Sequence, residues 1–145
     1  MNLLNGFFSE WFYGPWFDFN TYNVLLGCLD SNNDYVKIMG SLILITVVCL
    51  LIFYKYYDPI NNGKWKWAIT ILLICILCYG ASDLILWGNG CILIAVGNFN
   101  EQGVEPTSFI RQINIITVFY SLILSIILSL LVFRKISNNN RKNPF

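Results

Sequence analysis

Polar and apolar positions along this chain fall into long blocks and do not alternate. Three runs are nearly free of charge, and each is fenced by basic residues. The first is Ile38 to Tyr54, between Lys37 and Lys55; the second starts at Trp67 after Lys66 and meets no charge until Asp83. The third is Gln112 to Phe133, between Arg111 and the pair Arg134-Lys135. A helix rises about 1.5 Å per residue and needs roughly 20 apolar residues to cross the hydrocarbon core. The third run meets that outright, and the first two meet it with their Tyr and Trp edges. The expectation is an all-α integral membrane protein, a bundle of three transmembrane helices over about 36–56, 65–86 and 112–133. An aromatic interfacial segment (1–35) precedes the bundle, a short outer loop interrupts it and a basic tail (134–145) follows it.

Composition narrows the class without changing it. The 145 residues are 57% hydrophobic and 12% charged, against about 25% charged for a soluble domain. The net charge is +1 and the basic residues sit beside the apolar runs, which argues against a nucleic-acid partner. The chain has no His, so the usual general base, haem ligand and commonest metal ligand are all missing. No catalytic motif, cofactor motif or metal-ligand set stands out, and the expectation is a protein that is not an enzyme. Cys75 and Cys78 spell C-x-x-C inside an apolar run, where Cys behaves as a small apolar side chain. Cys28 and Cys91 share one predicted side of the membrane, and pairing between them is left open.

The distribution of charge sets an orientation. Lys55, Lys64 and Lys66 follow the first run, and Arg134, Lys135, Arg141 and Lys142 follow the third. The opposite segments hold Glu10, Asp18, Asp30, Asp34, Glu101 and Glu105, with Lys37 and Arg111 as the basic residues. Lys and Arg favour the cytoplasmic side, so the N-terminus is expected outside and the C-terminus in the cytoplasm, in a bacterial inner membrane or an organelle membrane. No basic residue precedes Lys37, so the first segment is not read as a cleaved leader. A four-span alternative would send part of residues 1–29 through the bilayer, against the cost of Glu10, Gly14-Pro15 and Asp18.

The N-terminal segment is dense in Phe, Trp and Tyr, which suits the headgroup boundary. Residues 3–13 are expected to form a short helix with Leu4, Phe7, Phe8 and Trp11 on one face, ended by Pro15, and the chain to turn before Val24. The segment reads either as an interfacial anchor or as a docking surface built on Trp11, Phe12 and Trp16.

Beyond the second run, Leu84–Trp87 and Cys91–Val96 flank Gly88-Asn89-Gly90. This reads as an extracytoplasmic element, with two strands about a turn or a re-entrant dip as its forms. Asp83, near the outer boundary, is a candidate ion or proton site or an interfacial carboxylate; Glu101, Glu105 and Arg111 of the outer loop are candidates beside it. A partner for Asp83 is expected from Arg111 or another subunit. Pro106 is expected to start a turn, with Thr107 or Ser108 capping the third helix.

Thr117, Ser121, Ser125 and Ser129 recur every four residues and so share one face of the third helix. Small hydroxyl residues at that spacing favour close helix packing. They fit packing within the chain, packing between copies, or the lining of a polar path. Gly40, Ser41, Thr46, Thr70, Gly80, Ala81 and Ser82 are their expected partners. The functional expectation is a non-catalytic membrane subunit that anchors or scaffolds an assembly, in contact with lipid and with itself or other membrane subunits. The alternative is a homo-oligomeric pore or ion channel with acidic residues at its outer mouth.

Overall fold

A computed structural model describes residues 3–17, 19–57, 63–97 and 106–133. The described chain is all helical, and three helices, spanning Asp34–Lys55, Lys64–Trp87 and Pro106–Leu131, are long and apolar enough to cross a membrane. The protein is an integral membrane helical bundle. In chain order the helices are α1 (Leu3–Phe8), α2 (Phe19–Ser31), α3 (Asp34–Ile52), α4 (Gly63–Trp87), α5 (Gly90–Gly97) and α6 (Pro106–Leu128). Single π-helical turns extend α1 to Tyr13, α3 to Tyr57 and α6 to Phe133. The 25 residues of α4 amount to roughly 37 Å of helix, enough to cross about 30 Å of hydrocarbon.

The α4–α6 contact is the most extensive in the bundle, followed by α3–α4 and α3–α6. Its register is antiparallel and can be followed through three contacts: Trp67 with Ser129, Cys75 with Ser121, and Ser82 with Asn114. Ile38, Leu42, Leu50, Ile74, Cys78 and Ile113 fill the centre, each at most 2% exposed. Around this centre the perimeter is apolar, and Leu44, Ile69, Ile76 and Leu131 are more than half exposed.

The N-terminal segment does more than lie at a boundary. The expected 3–13 helix forms, as α1 and its π turn, and a 3-10 turn at Gly14–Trp16 with Pro15 follows it. The π turn brings Tyr13 fully inside the bundle, 5.4 Å from the Tyr35 ring and beside Met39. Phe17 then returns to Phe109, with ring centroids 5.1 Å apart. The Gly14-Pro15 break lets the chain double back, so the segment wedges between α3 and α6.

Val24-Leu25-Leu26 lies within helix α2, and Leu25, Leu26 and Leu29 give α2 an apolar face to bury. Three local expectations are corrected. The two-strand reading around Gly88-Asn89-Gly90 fails: α4 runs to Trp87 and α5 is helical from Gly90. Apolar runs that short do not distinguish strand from helix by periodicity. The third long helix begins at Pro106, six residues before the expected start, and Pro106 itself is helical. Proline's fixed φ and missing N–H suit the first helical position. Gly40 and Gly80 are also not close-packing points, since a Cβ at either would meet nothing within 4 Å.

Helices α2 and α3 are joined by Asn32 and Asn33, and Asn33 is left-handed at φ 54°. Asn tolerates that conformation better than other residues with a Cβ, and a β-branched side chain does not. Asn33→Val should therefore destabilise the protein by about 1–2 kcal/mol, and Asn33→Gly should not. Thermal unfolding of both variants in one detergent measures the difference.

Candidate functional site

At the end of the bundle that holds Asp34, one amide joins four chain segments. Asn89 falls between α4 and α5 and is 4% exposed. Its Nδ2 donates to Asp34 Oδ2 at 2.6 Å and to the Cys28 carbonyl at 3.2 Å. Its Oδ1 accepts from Asn32 Nδ2 at 2.8 Å and from the Cys91 backbone N–H at 2.9 Å. Two donors and two acceptor sites are all that an Asn side chain has, so none is left over. The Lys37 ammonium closes the other Asp34 oxygen at 2.7 Å. Beside this hub a disulfide joins Cys28 on α2 to Cys91 on α5, with Cα atoms 5.7 Å apart. Asn5 is fully buried; it donates to Asp30 Oδ1 at 2.6 Å and accepts from the Val36 N–H at 3.4 Å, which ties α1 to α2 and α3.

From this hub a polar seam runs the length of α6. Thr117, Ser121, Ser125 and Ser129 are all at most 1% exposed and face the interior. Thr117 donates to the Ile113 carbonyl at 2.8 Å, which makes the Tyr13 hydroxyl, 3.1 Å away, the donor to Thr117. Ser121 and Ser125 bond back to their own helix at Val118 and Ser121. Ser129 accepts from the Trp67 indole N–H at 2.7 Å and shares a hydrogen bond with the Tyr54 hydroxyl. The stripe is used up inside one chain, partly across helices and partly on its own backbone, as hydroxyls at this spacing can be. Of their expected partners, Ser82 bonds Asn114, whereas Thr70 and Ser41 bond their own helices. Thr46 is fully buried, and its hydroxyl has no hydrogen-bond partner among the described residues.

The other sequence-predicted residues are dispersed. Asp83 is half-buried and, among the described residues, accepts one hydrogen bond, from Asn114 Nδ2 at 2.8 Å. That partner is an amide of α6. Arg111 is exposed and forms no ion pair among the described residues. Glu101 and Glu105 lie outside the described residues. Of the aromatic candidates, Phe12 packs edge-on against Tyr120 at 5.2 Å and its carbonyl accepts the Tyr120 hydroxyl at 2.8 Å. The Trp16 indole N–H donates to the same hydroxyl at 3.1 Å. Trp11 alone of the three is largely free, 71% exposed and stacked on Phe7 at 6.1 Å.

Sequence reasoning passed over Asn114, Asn89, Asn5 and Tyr13. Asn114 did carry a signal, as the one amide within the interior of the third apolar run. Among the described residues no three Cys, Asp or Glu side chains gather as a metal site. Compared with protein-family models, curated proteins and solved structures, the chain matches none.

The seam makes a paired prediction. Ser125→Leu adds volume at a fully buried position and should cost about 1–3 kcal/mol. Thr46→Val keeps the shape and removes an unpaired hydroxyl, so it should leave stability unchanged or raise it by about 1 kcal/mol. Thermal unfolding of the two variants in one detergent reads both signs.

Proposed function

We propose that this chain is a non-catalytic polytopic membrane subunit that anchors or scaffolds a multi-subunit membrane assembly through helix–helix packing. The supporting observation is how the chain divides its side chains. The hydroxyls from Thr117 to Ser129 and the amides of Asn89 and Asn114 turn inward and bond within the chain, and the perimeter among the described residues offers mainly Leu, Ile, Phe and Trp. A surface of that kind recognises other hydrophobic helices and lipid. A ring pore is the weaker reading, because the hydroxyls that would line it are spent inside each chain.

The disulfide supports the orientation with the N-terminus outside. Cys28, Cys91 and Asn5 sit at the end of the bundle opposite Lys55, Lys64 and Lys66. Disulfides persist where the compartment is oxidising, and Lys accumulates on the cytoplasmic side. Two unrelated rules therefore support the same orientation, in a bacterial inner membrane or an organelle membrane alike.

Gentle extraction from the native membrane, followed by mass and composition of the particle, tests the subunit reading. The expected result is a particle well above one 16.7 kDa chain, with a reproducible composition. Trp11→Ala should reduce the assembled fraction while leaving thermal stability unchanged, since the ring is mostly exposed. A chain that leaves the membrane as a lone monomer overturns the reading.

A further inference from the structure

Ionisable side chains within membrane-crossing helices are costly unless they find partners. At the disulfide end one such pair is closed inside the chain, Lys37 to Asp34. The same end carries a second pair of opposite charges, Asp83 on α4 and Arg111 on α6, and this one is open. Among the described residues Asp83 takes one hydrogen bond, from a neutral amide. Arg111 makes none among the described residues. By the α4–α6 register, Asp83 stands level with Ile113, so Arg111 begins two residues, about 3 Å, above it.

Both charges border one perimeter face. Helical spacing places Leu72, Ile76, Tyr79, Asp83 and Trp87 along one stripe of α4, and its four apolar members are 40–62% exposed. On α6, Arg111, Ile115, Val118 and Leu122 form the adjoining stripe, with Ile115 56% and Leu122 40% exposed. Between the stripes runs an apolar groove of about 250 Å³ lined by Leu72, Cys75, Ile76, Tyr79 and Val118. The N-terminal segment packs elsewhere on α6, against Phe109, Phe119 and Tyr120. Of the three crossing helices, α4 is the least covered by its own chain, with 28% of its apolar window buried.

We propose that this α4–α6 face is the contact surface for a second copy of the chain, with Asp83 of each copy paired to Arg111 of the other. A two-fold axis along the membrane normal lays α4 of one copy against α6 of the other at unchanged depth. It thereby forms two reciprocal ion pairs at once, as an isologous interface requires. The face is self-complementary in the needed sense: one acid and one base at nearly the same height, on opposite sides of an apolar groove. This deepens the assembly reading above, on which it rests, by naming one member of the assembly.

The test uses the purified full chain in lipid nanodiscs and in mild detergent, with particle mass read by light scattering. Wild type is expected to be a dimer. Asp83→Arg and Arg111→Asp should each cut the dimer fraction about tenfold, since each sets like charges against one another. The double variant D83R/R111D should restore it. An intact Cys28–Cys91 disulfide on non-reducing gels shows that each variant has folded. Should Asp83→Arg lose that disulfide, Arg111→Asp, at an exposed position, decides the matter alone. A monomeric wild type, an undiminished dimer in Arg111→Asp, or a folded double variant that stays monomeric overturns the proposal. A monomeric purified chain beside a mixed particle from native membranes overturns the dimer and leaves the assembly reading standing. A monomer in both preparations overturns both.

Discussion

Hydrocarbon offers no hydrogen bonds, so every polar group in a membrane-crossing segment must find its partner within protein. That constraint fixes the rotation of each long helix in this bundle. α6 and the π turn that extends it have four hydroxyls and one amide on one face, and that face is turned toward α3 and α4. Its remaining sides, rich in Leu and Ile, are left for lipid or for neighbours. Once α6 is set, Ser82 is required at the level of Asn114, and Trp67 with Tyr54 at the level of Ser129. The hydrophobic effect supplies no preference among rotations of a helix that is apolar all round, so the polar minority decides. Individually these contacts are modest, averaging about 0.6 kcal/mol. Their value lies in excluding other registers.

At the disulfide end the same rule acts on a more irregular chain. The α4–α5 junction leaves backbone and side-chain groups that regular helix would have satisfied, and Asn89 gathers them with all of its bonding capacity. Asp34 is the costliest member, a buried carboxylate, and it is balanced from two sides by Asn89 and Lys37. The disulfide joins residues 63 positions apart. A cross-link closing a loop of that size contributes about 2–4 kcal/mol, chiefly by restricting the unfolded chain. Amide, ion pair and disulfide together hold α2, α3 and α5 over the bundle end, which leaves the N-terminal segment a fixed slot between α3 and α6.

The spans were legible in the sequence because they rest on a single property, the length of an uncharged apolar run, which survives averaging. Ends were less so. The start of α6 at Pro106 turned on whether one proline begins a helix or a turn, a choice made by neighbouring packing. The stripe from Thr117 to Ser129 could be read as a face, but not whether that face met its own chain or another, because spacing carries no information about what lies opposite. Tyr13 was hidden for a different reason. In a cluster of nine aromatic side chains nothing local marks the one whose hydroxyl reaches Thr117. Asn89 was read only as a turn residue, since its bonding to Asp34 and Cys28 spans some 55 to 61 positions.

The contrast between the two charge pairs shows where the chain is complete and where it is not. Asp34 and Lys37 are one helical turn apart, and their neutralisation is a local matter that the α3 sequence settles alone. Asp83 and Arg111 lie on different helices, with the Asp83–Asn114 contact already made between those helices. Asn114 satisfies one lone pair of the carboxylate and leaves its charge unbalanced. The guanidinium is likewise left without an anion among the described residues. A folded unit that turns the hydroxyls from Thr117 to Ser129 inward has means to bury polarity, so two opposite charges left on one apolar face set that face apart from the rest of the perimeter. A second copy related by a two-fold axis supplies both missing partners from the same sequence, without asking for any further change in the fold.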